Sequence, residues 1–467
     1  MKFLPSSLVT AVFFAEKRGT RLEAPEGAGG NVEWNDLAAV APGVGASALA
    51  GVLSQPRKLM QEAMPQSDFV PPDVIRISKS VGHFVRQEPV LLAIAAPSFD
   101  AVSETFIRDH TRFLAPGRTV LLCQRSSGSE RFGYPVLSHI ASPPVRYGNR
   151  IADGLLRRCR ALLGRPLAPG DDLRVQAFLT EHQPRVLLAQ FGPTGVLMMG
   201  PCAGADIPLF VYFRGNDATG LARQPRIRRQ YARLFAAATG VIATSGYLSE
   251  RLAAMGCPRE KLHVCPSGVD ASRFRVSARE PGRVLCVGRL VEKKAPDQTL
   301  RAFAKVRARM PLAHLDLVGD GPLRDLCLRL IDELGLKDAV TFHGRQSPET
   351  VATLLGRASV YAQHSVEASN GDCEGTPVGV LEAMASGLPV AASRHSGIGE
   401  VVLDGETGFL CNEHDVEGMA EAMERLLTDP ARAEAMGLAG RRRVEENFTH
   451  SHVRQKLLKI LGLEELL

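Results

Sequence analysis

No run of about 18 apolar residues, the length a helix needs to cross a bilayer, occurs in this 467-residue sequence. A membrane-spanning helix is therefore not expected. No C-x-x-C pair occurs among the nine cysteines, whose number is odd and whose spacing is wide. Several, such as Cys286 in RVLCVG, sit in apolar runs, so they read as buried free thiols in a reducing compartment rather than disulfides or zinc ligands. No complete G-x-G-x-x-G follows a strand-like run, which disfavours an enzyme built on the dinucleotide fingerprint. The start, MKFLPSSLVTAVFF, lacks an A-x-A-like cleavage site and runs into AEKRGTRLE, so no signal peptide is expected.

What is present is ordinary in bulk. Hydrophobic residues make up 45% and charged residues 23%, enough for a large core without bulk disorder. Length suggests two or three domains. Net charge is a mild +6, but arginine is clustered. RYGNRIADGLLRRCRALLGR (146–165) holds six Arg and one acid, and ARQPRIRRQYARLF (222–235) holds five Arg and no acid. Such clusters suit contact with anionic lipid or a lipid-diphosphate, or are plain solvated helix faces. No recognised nucleic-acid module accompanies them, so nucleic acid is not an expected partner.

Residues 1–88 hold the only tryptophan, Trp34, and a Gly/Ala-rich patch; they read as a weakly structured N-terminal extension. From Pro89 onward, apolar runs of strand length alternate with amphipathic stretches. PVLLAIAA, TVLLC, RVLLAQF, PLFVYF and GVIATS form a first set; RVLCVGRL, HLDLVGD, AVTFHG, ASVYAQ and LPVAAS form a second. Continuous apolar strands separated by helices predict parallel sheets covered on both faces, and two sets predict an α/β protein of two Rossmann-like, doubly wound domains. The boundary falls in the polar stretch 270–283. The expected division is 1–88, 89–275, 276–448, and a final helix at 449–467 crossing back to the first domain.

Open parallel sheets bind ligands beyond the carboxyl ends of their strands. After RVLCV comes Gly288-Arg289-Leu290-Val291-Glu292-Lys293-Lys294, then a helix with Pro296 and Asp297 in its first turn. Arg289 and Lys294 can converge on one pyrophosphate, whose charge grows as a leaving group departs; a solvated basic loop is the alternative. Gly319-Asp320-Gly321 reads as a tight turn. In residues 371–393, Glu374 and Glu382 flank Gly375-Thr376-Pro377, which opens a helix that Gly387 closes. Free N–H groups there form an anion- and hydroxyl-binding nest. Two carboxylates beside such a nest suit a polyhydroxylated ligand, or are two helix-surface acids.

The set GRLVEKK, VGDGPLR, VTFHGR and SVEASNGDCEGTPVGVLEAMASGLPVAASRHSGIGEVV, in this order, resembles the retaining glycosyltransferases of family 4, from about Pro89 to the end. Its wording is most similar to bacterial exopolysaccharide enzymes of the colanic-acid and amylovoran type. The resemblance implies the GT-B fold, with two domains facing a central cleft. It implies a hexosyltransferase that uses a nucleoside-diphosphate sugar as co-substrate, with no cofactor and no essential metal ion. No D-x-D stands near a strand end, in keeping with that. The implied acceptor is lipid-linked or a polysaccharide. The expected location is the cytoplasm, with the Arg clusters at 146–165 and 222–235 in contact with the inner face of an anionic membrane. Arg289 and Lys294 would hold the donor diphosphate, Glu374 would contact donor-sugar hydroxyls, and Glu382 the ribose hydroxyls. The amides of Gly375 and Thr376 would line sugar and phosphate, and Gly344 and Arg345 would lie near the base.

On the acceptor side the resemblance places Ser98 and Ser103 at the cleft, Ser103 also suiting a helix cap. Gln190 in QFGPTG and Arg214 in FRGND stand where the family often has histidine. Arg214 is expected to stabilise charge on the phosphate or on an acidic acceptor, and Asn216 and Asp217 to bind hydroxyls. The missing histidines and the extension also suit a second reading, a donor-binding but inactive subunit of a polysaccharide assembly complex.

Overall fold

The computed structural model describes residues 22–23, 31–32, 89–99, 105–124, 133–140, 167 and 169–467. Ser103, Cys159, Trp34 and the basic stretch 146–165 lie outside them, as does nearly all of the extension. Residues 1–87 form one unit and 88–467 another. In the first, Leu22–Glu23 (β1) pairs antiparallel with Asn31–Val32 (β2).

The larger unit contains two parallel sheets. The first joins β3 (Leu92–Ala96), β4 (Thr119–Cys123), β5 (Val136–Leu137), β6 (Val186–Gln190), β7 (Leu209–Phe213), β8 (Gly240–Ala243) and β9 (Leu262–Val264) in the order β5-β4-β3-β6-β7-β8-β9. The second joins β10 (Arg283–Val287), β11 (His314–Val318), β12 (Val340–Gly344), β13 (Val360–Gln363), β14 (Val390–Ser393) and β15 (Gly408–Cys411) in the order β12-β11-β10-β13-β14-β15. The ten expected strands are all present. The three additional ones, β5, β9 and β15, are two to four residues long and lie at sheet edges, where a short segment needs only one partner and leaves little apolar signal. Every residue of β3, β4, β6 and β7 is buried, which is why these strands read as unbroken apolar runs.

Helices α1 (Thr105–Phe113), α2 (Pro169–His182), α3 (Gly192–Ala205), α4 (Pro225–Ala237) and α5 (Gly246–Ala254) accompany the first sheet. Among those around the second are α6 (Pro296–Arg309), α7 (Val378–Ala385) and the single turn α8 (Ile398–Val401); α9 (His450–Leu461) follows near the end. Alternate strand residues point to opposite faces. Ala93, Ala95, Val120 and Leu122 pack with Val175, Leu179 and Val196 of α2 and α3. Leu92, Ile94 and Leu121 pack on the other face with Ile107 of α1 and with Val453, Leu457 and Leu461 of α9. Those last three recur every four residues, one helical stripe. The C-terminal helix is therefore part of the first sheet's core. No described helix is long and apolar enough to cross a membrane, and the eight described cysteines are free, buried thiols.

The two sheets meet through their loops. The Glu400 carboxylate of α8 accepts the N–H groups of Gly246 and Tyr247, both at 2.9 Å, at the open end of α5 in the first domain. Arg223 pairs with Glu367. The Cys373 N–H donates to Thr219 Oγ1 at 3.1 Å, and Thr376 Oγ1 donates to the Thr244 carbonyl at 2.5 Å.

Within the second domain, the Gly319-Asp320-Gly321 turn rests on the loop that leaves β10. The Gly288 N–H donates to Val318 O and the Leu290 N–H to Asp320 O, both at 3.0 Å. Gly319 has φ +142°, and a Cβ there would lie 1.8 Å from the Gly288 carbonyl oxygen. Gly319→Ala is expected to cost more than about 2 kcal/mol of stability in thermal or urea unfolding. Gly399→Ala, whose added methyl would meet nothing within 4 Å, is the control and should leave stability within about 0.5 kcal/mol.

Candidate active site

In the second sheet, β10 is the first strand and lies centrally; the chain builds to one side through β11 and β12, then returns to the other through β13. The crevice between β10 and β13 is thus a topological switch point, where open α/β sheets bind ligands. Glu292–Lys294 leaves β10 as one turn of 3-10 helix, and α6 follows with Pro296 at its start and Asp297 in its first turn. Glu374 lies on the loop between β13 and α7.

These two loops bring Glu374 against two lysines. Lys294 Nζ lies 3.4 Å from Glu374 Oε2, and Lys293 Nζ lies 3.9 Å from Oε1. Lys293 also donates to Asp372 Oδ1 at 3.0 Å and to the Cys373 carbonyl at 3.3 Å. Glu374 is only 7% exposed. Burial pushes its carboxyl up, but the charges of Lys294 and Lys293 outweigh it and hold it below the usual carboxylate range. Oε1 is buried and makes no hydrogen bond among the described residues.

α7 starts at Val378, with Pro377 as its extended N-cap at φ −75°, ψ 106°. Pro377 therefore stands one residue outside the first turn that the sequence pattern suggested. Gly387, at φ +72°, closes the helix as expected. The N–H groups of Gly375, Thr376, Val378 and Gly379 donate to no acceptor among the described residues, which leaves four amides open at the helix start. The Thr376 hydroxyl, in contrast, is committed to Thr244. Gly375 permits the closest approach in the cleft: a Cβ there would lie 2.1 Å from the Arg214 carbonyl oxygen and 2.3 Å from Thr244 Oγ1.

Glu382 lies in α7, partly buried. Burial pushes its carboxyl up to about 7, against the pull of Arg273 and Lys294. Lys294 thus acts on both glutamates. Arg289 is exposed at the carboxyl end of β10. Gly344 ends β12 at φ +63°, and its carbonyl accepts the Gly319 N–H at 2.9 Å; Arg345 beside it is exposed. Among the described residues no group of three or more His, Cys, Asp or Glu could hold a metal ion.

The first domain differs from expectation at Asp217. Asp217 is not available to a ligand's hydroxyls. It is 5% exposed and accepts the N–H groups of Gly192 (3.0 Å), Arg214 (2.9 Å) and Gly215 (3.0 Å), which fixes the turn after β7. Burial raises its carboxyl, with those three N–H groups pulling the other way. The Arg214 guanidinium turns into the first domain, not toward Glu374. Its Cζ lies 3.5 Å from the ring centre of Phe106 and 4.0 Å from that of Tyr212, and Nη1 donates to Ser267 Oγ at 3.4 Å. A guanidinium sandwiched by two aromatic faces is held by packing and cation–π attraction. Gln190 is fully buried and donates through Nε2 to His110 Nδ1 at 3.0 Å. Asn216 is exposed, and Ser98 is half-buried just beyond β3.

Three functional side chains escaped the sequence reading. Lys293 is the second cation on Glu374; the Lys-Lys doublet was its only signal. His395 is 1% exposed and accepts the Glu374 N–H on Nε2 at 3.1 Å, while Nδ1 meets Glu413 Oε1 at 2.6 Å. Neither His395 nor Glu413 carries any local signal, since each meets its partner only through the sheet.

Residues 104–273 match the family described as Glycosyltransferase Family 4, and residues 270–443 match Glycosyl transferases group 1. The putative colanic acid biosynthesis glycosyltransferase WcaL of Escherichia coli K12 is 31% identical over 294 residues, covering 60% of this chain and 71% of that protein. The chain belongs to glycosyltransferase family 4. Another relative of this family 4 chain is the amylovoran biosynthesis glycosyltransferase AmsK of Erwinia amylovora, 28% identical over 399 residues, 78% of this chain and 97% of that one. A GDP-mannose-dependent phosphatidylinositol monomannoside mannosyltransferase of Mycolicibacterium smegmatis is 32% identical over 290 residues, 59% of this chain and 75% of that one. Among solved structures, HepE of Anabaena in complex with UDP superposes with a TM-score of 0.66 at 19% identity, over 80% of this chain and all (100%) of that chain. Sucrose-phosphate synthase of Thermosynechococcus elongatus gives 0.63 at 19% identity, over 80% and 98%. The fold of this glycosyltransferase is GT-B.

The raised carboxyl of Glu382 has a signed consequence for the unliganded enzyme. Between its ordinary value of 4.5 and about 7, the folded state binds more protons than the unfolded state. Stability therefore falls as pH rises through that window. Glu382→Gln should remove this fall, so that the variant gains on the wild type by on the order of 2–3 kcal/mol between pH 5 and pH 8 in urea unfolding. Parallel pH profiles for the two proteins would contradict the assignment.

Proposed function

We propose that this chain is a retaining, metal-independent glycosyltransferase that moves a hexose from a nucleoside-diphosphate sugar to a lipid-linked or saccharide acceptor in exopolysaccharide assembly. The observation that carries the reading is the convergence, at one switch point, of Lys294, the buried Glu374 and four unpaired amides at the start of α7. Cations and a helix start suit a diphosphate, and an ionised carboxylate beside them suits a sugar's hydroxyls.

In this reading Arg289, Lys294 and the amides bind the diphosphate and stabilise the charge it gains as the glycosidic bond breaks, a task that otherwise falls to a metal ion. Glu374 orients the donor sugar, and Glu382 accepts from the ribose hydroxyls. Gly344 and Arg345 border the base. Departing phosphate oxygen, held on the acceptor's face of the sugar, takes the acceptor's proton, which leads to retention. Ser98 and Asn216 remain the acceptor-side candidates. The relatives named for amylovoran and colanic acid synthesis support an exopolysaccharide acceptor, and the HepE complex with UDP supports a nucleoside-diphosphate donor.

A panel of nucleotide sugars with a lipid-diphosphate saccharide should release nucleoside diphosphate, in the presence of a chelator, with the donor's anomeric configuration kept in the product. Lys294→Ala and Glu374→Ala should each lower kcat/KM by about 10²–10³-fold. Donor binding without turnover on any acceptor would favour the inactive-subunit reading, and no donor binding at all would sink both.

Membrane contact is part of the proposal, at the cytoplasmic face. α4 turns Tyr231, Leu234 and Phe235 inward and leaves Arg226, Arg228 and Arg229 exposed. Cosedimentation with vesicles rich in anionic phospholipid should weaken with added salt, and should fall when these three arginines become glutamine. Salt-independent binding, or none, would remove this part of the proposal.

A further inference from the structure

The Glu374 carboxylate is paired with charges but loosely directed. Its ion pairs, at 3.4 and 3.9 Å, are longer than the charge-assisted hydrogen bonds that fix an orientation, and Oε1 has no hydrogen bond among the described residues. Its direction therefore comes from its main chain. Both main-chain polar groups of Glu374 are held by consecutive side chains of another loop. The N–H donates to His395 Nε2 at 3.1 Å, and the carbonyl accepts from Ser396 Oγ at 2.5 Å. The loop lies flat against the Glu374 peptide: a Cβ on Gly397 would come within 2.3 Å of the Gly375 carbonyl oxygen. Because His395 Nε2 accepts a proton-bearing N–H, the ring proton sits on Nδ1 and is donated to Glu413 Oε1 at 2.6 Å. Glu413 Oε2 accepts the Glu367 N–H at 2.8 Å, which anchors the start of the same loop. Ser396 adopts φ +46°, a conformation unfavourable for a residue with a side chain, and its hydroxyl bond to Glu374 helps to hold it there.

We infer that His395 and Ser396, with Glu413 behind His395, are positioning residues: they clamp the Glu374 peptide so that its carboxylate meets the donor sugar at a fixed angle. The inference rests on the reading of Glu374 as the sugar-contacting carboxylate. The clamp touches the peptides on both sides of Glu374, so of the four amides at the start of α7 it bears only on that of Gly375 and leaves those of Thr376, Val378 and Gly379 untouched. Loss of the clamp thus misdirects the sugar contact while most of the phosphate contacts stay in place.

The test uses the full chain with the donor that the panel shows to turn over, together with UDP and GDP as sugar-free probes. His395→Phe removes both ring contacts; His395→Gln keeps an acceptor for Glu374 and a donor for Glu413; Ser396→Ala removes one hydroxyl. Expected is a loss of about 10–100-fold in kcat for His395→Phe, a smaller loss for Ser396→Ala and partial recovery in His395→Gln. The affinity for the nucleoside diphosphate that the wild type binds should stay within about threefold, since the phosphate-binding groups remain. Unchanged kcat in His395→Phe and Ser396→Ala would overturn the inference. So would a parallel loss of nucleoside-diphosphate affinity and melting temperature, the mark of a merely structural role. If His395→Phe does not fold, Ser396→Ala decides on the same readouts. A wild type that turns over no donor refutes the functional reading instead, and is seen before any variant is made.

Discussion

The site depends on a buried carboxylate held between two ammonium groups. Burying Glu374 alone would cost several kcal/mol, and its proton would be retained to avoid that. Lys293 and Lys294 keep it ionised, and they reach it because β10 and β13 are neighbours in the sheet although far apart in sequence. The two lysines are not equivalent. Lys293 is already neutralised by Asp372 at 3.0 Å, whereas Lys294 lies farther from its nearest acid, 3.4 Å from Glu374. Four charges thus sum to zero before a donor enters. A diphosphate must draw on groups outside that balance: Arg289, which is exposed, and the amides at the start of α7. Lys294 can turn to the phosphate while Lys293 stays with both acids. This division of labour follows from the distances, and it explains why a Lys-Lys pair is needed where one lysine would leave Glu374 unpaired.

The same loop that carries Glu374 is also the floor of the domain contact. Cys373, Glu374 and Gly375 lie against the Arg214–Gly215 backbone, close enough that only glycine fits at 375. Glu400, five residues after His395, occupies the helix start of α5 in the first domain. One short segment, 395–400, therefore holds the Glu374 peptide at one end and the opposite domain at the other. Any opening of the cleft that breaks the Glu400 contact pulls on the segment that orients the carboxylate. Orientation of the Glu374 carboxylate and contact between the domains run through one segment.

How much of this is legible in the sequence depends on the range of the interaction. The strands were legible because a parallel sheet covered on both faces requires unbroken apolar residues, and β3, β4, β6 and β7 are buried throughout. Glu374, Glu382 and the amide row were legible because Pro377 and Gly387 mark both ends of α7 within a few residues. His395 and Glu413 were not, because their meaning lies in contacts across 21 and 18 residues that only strand pairing creates. Asp217 was misread because its type suits a ligand's hydroxyls and a turn's N–H groups equally; three backbone donors within one bond's reach decided for the turn. The packing of Arg214 was not legible for a similar reason. Its rank in sequence places its Cα at the cleft, but Phe106, over a hundred residues earlier, offers its guanidinium a better partner.

The fate of Arg214 and Gln190 constrains the chemistry. The two side chains belong to one stack: Gln190 on His110, His110 parallel to Tyr212 at 5.7 Å, Tyr212 under Arg214. Burial, with the charges of Arg214 and His450, pushes His110 well down, so it stays neutral and is a poor source of protons. Of the first domain's candidates within the described residues, Asn216 is exposed and Ser98 half-buried. Neither is a base near neutral pH. In the proposed reaction, proton transfer from the acceptor falls to the departing phosphate oxygen that the donor brings with it. Its basicity rises as the sugar bond breaks, so the group that needs a proton appears at the moment the acceptor must lose one.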